Sequence, residues 1–177
     1  KARCLAGGDA EEINLEHCAV LPGFIDCHIH MAVAESKNGE EIYLTPKNGI
    51  KSVSDILEKV KNATMGKENG EWIIGSAYSH EDLNEKRHIT LKELDSVSPR
   101  NPVLIIHKSG HMSVCNSAAL ELAKKSGLQF PTEHTVLAEN GEPSGLMKET
   151  AHFTILQKTP LLPDDDILVS GIEKFCK

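Results

Sequence analysis

The chain has 177 residues, of which 40% are hydrophobic and 25% charged, with a formal net charge of -7. That length and balance allow one ordinary globular domain with a real core. They offer no basic patch for a phosphate backbone, so no nucleic-acid partner is expected. No apolar run approaches the roughly 20 residues of a membrane span, and Lys1-Ala2-Arg3 leads into no signal-peptide core, so no membrane association is expected.

Lys1 to Asn14 is polar, with a turn at Gly7-Gly8-Asp9. Pro22-Gly23 breaks a short apolar stretch, and Phe24 to His30 then reads as a buried strand ending in polar groups. Asn38-Gly39 and Pro46-Lys47-Asn48-Gly49 mark Met31 to Gly49 as loop. Ser52 is placed to cap a helix whose Val53, Ile56, Leu57 and Val60 form one apolar stripe. Asn69-Gly70 turns the chain into a second buried strand at Trp72 to Ala77.

Thr90 and Glu93 fit a capping box, and the helix they start ends before Pro99. Val103 to Ile106 is a third strand, leading into His107-Lys108-Ser109-Gly110-His111. Asn116 or Ser117 caps a helix that stops near Gly127. Asn140-Gly141 joins Thr135–Ala138 to Ser144–Met147 in a hairpin. Helix follows from Glu149, and a last helix starts within Asp164 to Asp166, where carboxylates suit the positive end of the dipole. Alternating strands and helices predict an α/β protein. The five cysteines are odd in number, scattered and without a CxxC pair. They read as reduced thiols of a cytoplasmic protein.

The chemistry centres on His28 and His30. Two apart on a strand, they share a face and can reach one ion, with Asp26 on that face as a partner for a ring N–H. A bare pair of this kind is also found by chance on surface strands. The preceding Leu-Pro-Gly-Phe-Ile makes the strand apolar, and two polar rings at its end then need a reason. His17, His80, His88, His134 and His152 match no ligand pattern, and His107 lies four residues before His111.

Leu21 to His30 resembles the first barrel strand of the amidohydrolase superfamily, whose pattern is PGFIDxHxH. Trp72–Gly75, Leu91–Asp95, Pro102-Val103, Ser109-Gly110-His111, Asn116–Leu120 and Gly141–Glu149 follow in the order seen in its amidohydrolase-3, or YtcJ-like, branch. The resemblance implies a (β/α)8 barrel with one or two divalent metals, zinc being the expected one. A lone barrel needs roughly 250 residues, so the chain is expected to be an amino-terminal part of one. It would run from the end of a flanking β-sandwich (1–20), through the first barrel strand (21–31) and an inserted, substrate-lining region (32–147), to a return to the barrel (148–177).

The same resemblance implies that His28 and His30 are metal ligands, with Glu149, or a carboxylated Lys148, as a third. Glu149 could equally be a solvent-facing carboxylate at a helix start. His111 matches a pocket-lining segment or is a hydrogen-bonded loop histidine. Asn116 either binds substrate or only caps its helix. The implied activity is hydrolysis of a carbon–nitrogen bond in a small amide-type substrate, with metal-bound hydroxide as nucleophile. The alternative is a non-catalytic domain keeping a vestigial metal site. Open strand edges of a partial barrel would favour self-association.

Overall fold

The computed structural model describes residues 8, 11, 13–27, 41–161 and 165–175. The chain divides into two units, Lys1–His30 and Met31–Lys177. Among the described residues no helix is long and apolar enough to cross a membrane.

In the first unit, the buried strand expected at Phe24 to His30 is corrected where it is described. Residues 21–27 form no strand, and Phe24 and Ile25 are 91% and 93% exposed. A strand persists when a neighbour covers one of its faces, and these apolar side chains are left open to solvent. Residues 28–30, His28 and His30 among them, lie outside the described residues.

The second unit is built on one six-stranded mixed sheet. Its strands are β1 (Ile42–Tyr43), β2 (Ile73–Tyr78), β3 (Val103–His107), β4 (Met112–Cys115), β5 (Thr135–Leu137) and β6 (Pro143–Lys148). Their spatial order is β1-β2-β3-β4-β6-β5. β1, β2 and β3 are parallel. β4 returns antiparallel to β3, and β6 reverses again against β4. β6 therefore runs with β3, and four strands end at the same edge. The α/β class is thus correct, and the sheet is mixed.

The helices form where local chemistry starts them. In α1 (Val53–Thr64), Ser52 accepts from the Asp55 N–H while the Asp55 carboxylate accepts from the Ser52 N–H. Thr90 and Glu93 do the same for α2 (Leu91–Val97). Each box satisfies two N–H groups that a helix start leaves unpaired. α3 (Ser117–Lys125), α4 (Glu149–Leu156) and α5 (Asp165–Phe175) complete the set. Among these, α1 and α2 make the crossovers β1-α1-β2 and β2-α2-β3 that parallel strands require.

Alternation along β3 sends its side chains to two cores. Val103 and Ile105 join Val53, Ile56, Val60 and Leu94 of α1 and α2. Leu104 joins Ala119 and Leu120 of α3 and Ala151 and Ile155 of α4. The sheet is therefore covered on both faces, and each fully buried aliphatic side chain contributes about 1.5–3 kcal/mol. Close contact also explains Gly75. A Cβ there would lie 2.5 Å from Leu44 Cδ1 and 2.9 Å from Ile105 Cδ1.

Candidate active site

The carboxyl edge of the sheet carries most of the polar chemistry. β2 ends in Tyr78-Ser79-His80, β3 in His107, and β6 in Lys148-Glu149. β4 starts at that edge, and its Met112 pairs with Lys148. One step outward, His111 and Glu149 continue the ladder, with the Glu149 N–H donating to the His111 carbonyl at 2.8 Å. Their side chains meet as well, His111 Nδ1 lying 3.0 Å from Glu149 Oε2. A carboxylate oxygen accepts in this contact, so Nδ1 is the nitrogen that carries a proton toward it. Both side chains are about half exposed, and Phe153 presents its ring edge-on to His111 at 5.9 Å.

Glu149 has a φ of 41°. A residue with a Cβ in the left-handed region costs about 1–2 kcal/mol, and such strain concentrates at functional positions. The two candidates from the sequence, Glu149 and His111, are therefore brought together. Lys148, the alternative to Glu149, ends β6 beside it and is exposed. Asn116 is corrected. It is fully buried, and its amide is engaged on both sides. Oδ1 accepts from the Val103 and Ala119 N–H groups, and Nδ2 donates to the Ser98 and Asn101 carbonyls. The Ala119 bond is the helix cap, and the other three tie α3 to the start of β3 and the end of α2. With its hydrogen-bonding atoms used in this way, Asn116 holds the framework and has no surface for substrate.

A second polar group was not signalled by any motif. Tyr78 is fully buried, and its hydroxyl bonds His88 Nδ1 at 2.7 Å. Burial pushes that phenol well above its usual pKa, so the hydroxyl is the donor. The His88 ring stacks on His80 with centroids 4.0 Å apart, and His107 lies 5.5 Å from both His80 and Tyr78. Burial first, then the neighbouring His80 and His107, pushes His88 down to about 4. His107 is lowered by burial, and then by His80 and Lys108, against the pull of Glu81 and Asp82. The clue in the sequence was positional: a tyrosine and histidines where two buried strands end.

Among the described residues no three His, Cys, Asp or Glu side chains converge to hold a metal ion. The donors that do meet, an imidazole and a carboxylate, are of the type that suits zinc and similar divalent ions. Cys18, Cys27 and Cys115 are free thiols. Burial pushes Cys115 up to about 12, which makes it an inert filler rather than a nucleophile.

Comparison with known proteins matches residues 11–168 to the amidohydrolase family model. The chain is 32% identical to Protein LONG AFTER FAR-RED 3 of Arabidopsis thaliana over 82% of its own length and 24% of that protein's. It is 31% identical to the N-substituted formamide deformylase of Arthrobacter pascens, over 85% of this chain and 28% of that one. It thus spans about a quarter of these relatives. An uncharacterized metal-dependent hydrolase from Pyrococcus furiosus shares the fold with a TM-score of 0.53 at 24% identity, covering 86% of this chain and 28% of that one. This chain belongs to the amidohydrolase family, in its amidohydrolase-3 branch.

Proposed function

We propose that the chain supplies part of the active site of a metal-dependent hydrolase acting on carbon–nitrogen bonds of small amide-type substrates. The observation that carries this reading is the Glu149–His111 pair, a carboxylate held at φ 41° against an imidazole at 3.0 Å, on the sheet edge where strands end. Similarity to a formamide deformylase supports the bond type. His28, His30 and Glu149 would hold one or two divalent ions, zinc being the first choice. When bound, such an ion activates water and polarises the scissile carbonyl. Within the described residues, His111 donates its Nδ1 proton to Glu149 and so fixes the direction of that carboxylate.

In this reading, in the whole protein, residues 1–20 belong to a flanking β-sandwich, 21–31 become the first barrel strand only where further barrel strands pair with them, 32–147 form an insertion and 148–177 the return to the barrel. The scattered free thiols support a cytoplasmic location. β1 and β5 form the two edges of the described sheet, and sheet edges are surfaces through which chains can associate, which supports self-association.

The test combines metal content with turnover. Purified protein containing these residues is assayed on N-substituted formamides and simple amides, before and after chelation. Elemental analysis is expected to show metal lost in His28→Ala, His30→Ala and Glu149→Gln. Undiminished metal in all three variants would sink the assignment. A second reading applies to the 177 residues alone, because they span about a quarter of their relatives. These residues hold a partial site, bind metal weakly and turn over no amide. Chelator-sensitive hydrolysis by this chain alone, absent in His28→Ala, would overturn it.

A further inference from the structure

The turn between β3 and β4 places His111, and its own backbone does not satisfy it. Gly110, at φ 72°, donates to the His107 carbonyl at 2.9 Å and closes the turn. The Ser109 and His111 N–H groups find side chains instead. The Ser109 N–H donates to His107 Nδ1 at 3.1 Å, the Ser109 hydroxyl lies 2.9 Å from the same nitrogen, and the His111 N–H donates to the Ser109 oxygen at 3.3 Å.

We propose that His107 is a positioning residue for the candidate site, its Nδ1 holding Ser109 so that His111 meets Glu149. The proposal rests on reading the His111–Glu149 pair as part of that site. A continuous chain of contacts runs from His107 through Ser109 to His111 and on to the carboxylate. His107 is suited to anchor it, being 7% exposed and packed against the Tyr78 ring, edge-on at 5.5 Å, and against His80. The anchor is therefore rigid while the pair it sets is open to solvent. Were His107 only a packing residue, any apolar ring or chain of similar volume would serve.

The geometry gives the two rings opposite roles at Nδ1, bare in His107 and protonated in His111. A backbone N–H can only donate, so His107 Nδ1 is bare and the ring proton sits on Nε2. At His111 the carboxylate requires the reverse, with the proton on Nδ1. These states are read directly by long-range 1H–15N correlation spectra of the metal-free 177-residue chain at a fixed neutral pH. In the unmodified chain His107 is expected as the Nε2–H form and His111 as the Nδ1–H form.

His107→Asn places an amide oxygen near the position of Nδ1 and is expected to preserve the His111 signature. His107→Leu and Ser109→Ala are expected to lose it, with at least a tenfold faster exchange of the Glu149 amide, which donates to the His111 carbonyl. Ser109→Ala leaves the His107 ring packing in place, so it answers the question even if His107→Leu does not fold. An unchanged His111 tautomer in Ser109→Ala, or its loss in a folded His107→Asn, would overturn the proposal. Because these readouts need no metal, failure of the metal assignment leaves them standing.

Discussion

Glu149 offers the sharpest test of the strain argument. At φ 41° a residue with a Cβ pays about 1–2 kcal/mol that glycine does not. Glycine, in turn, gives the unfolded chain about 0.4–1 kcal/mol more conformational freedom than alanine does. The difference leaves Glu149→Gly more stable than Glu149→Ala by about 0.8 kcal/mol. The contact with His111 is lost in both variants and is half exposed, so it cancels and contributes below about 1 kcal/mol in any case. An exposed site inside α1, Lys59, provides the control. There the usual helical order holds, and alanine exceeds glycine by about 1 kcal/mol. The assay is urea unfolding of the four variants with matched slopes, supported by thermal melts expected to differ by about 2–3 °C between the two Glu149 variants. The diagnostic is inversion of sign between the sites. If glycine is the worse residue at both, Glu149 stores no backbone strain, and its φ ceases to mark it as a functional position.

Three other consequences can be checked by the same methods. Gly145 has a φ of 91°, and a Cβ there would lie 2.5 Å from the Cys115 carbonyl oxygen and 2.8 Å from Leu91 Cβ. Gly145→Ala is therefore expected to cost more than about 2 kcal/mol. Gly141→Ala, at φ 78° with open space around it, is the milder control, and equal losses at the two would refute the packing argument. Asn116→Leu strands two backbone donors and two carbonyls and should cost about 3 kcal/mol or more; preserved exchange protection at the Val103 amide would contradict this. Burial, as the leading cause, holds both His88 and His152 near about 4 in the folded protein, against an ordinary value of 6.5. Between those values the unfolded chain binds more protons, so stability is full above pH 6.5 and falls as pH drops toward 4. The urea midpoint should therefore decrease from pH 7.5 to 5, and the slope should flatten in His88→Gln. A midpoint independent of pH would count against neutral buried rings.

What was legible in the sequence was what local chemistry decides. α1 is announced by Ser52 as its cap and by its apolar stripe, and α2 by the capping box of Thr90 with Glu93, because these signals lie within a turn or two of the chain. The β5–β6 hairpin is announced by Asn140-Gly141, and Gly141 takes the left-handed φ such a turn needs. β4 was not legible. Met112–Cys115 is four residues long and includes Ser113, a polar residue that is nevertheless fully buried against His152. Its strand character comes from pairing with β3 and β6, which the sequence does not display. The same holds for Tyr78, His80, His88 and His107. No spacing relates them; the edge shared by β2 and β3 does.

Asn116 and Glu149 show where sequence resemblance stops being sufficient. Both are polar residues at a helix start, in segments that resemble the same enzyme branch, and either could touch substrate or metal. The fold separates them through two physical quantities. Asn116 is buried, with both ends of its amide engaged by backbone groups, so removing it damages the framework wherever the substrate lies. Glu149 is half exposed, strained and paired with a side chain that is itself positioned from a buried anchor. Glu149 carries this strain although its half-exposed contact with His111 adds little to stability. That asymmetry, more than the motif around it, makes Glu149 the residue on which the hydrolase reading of this chain depends.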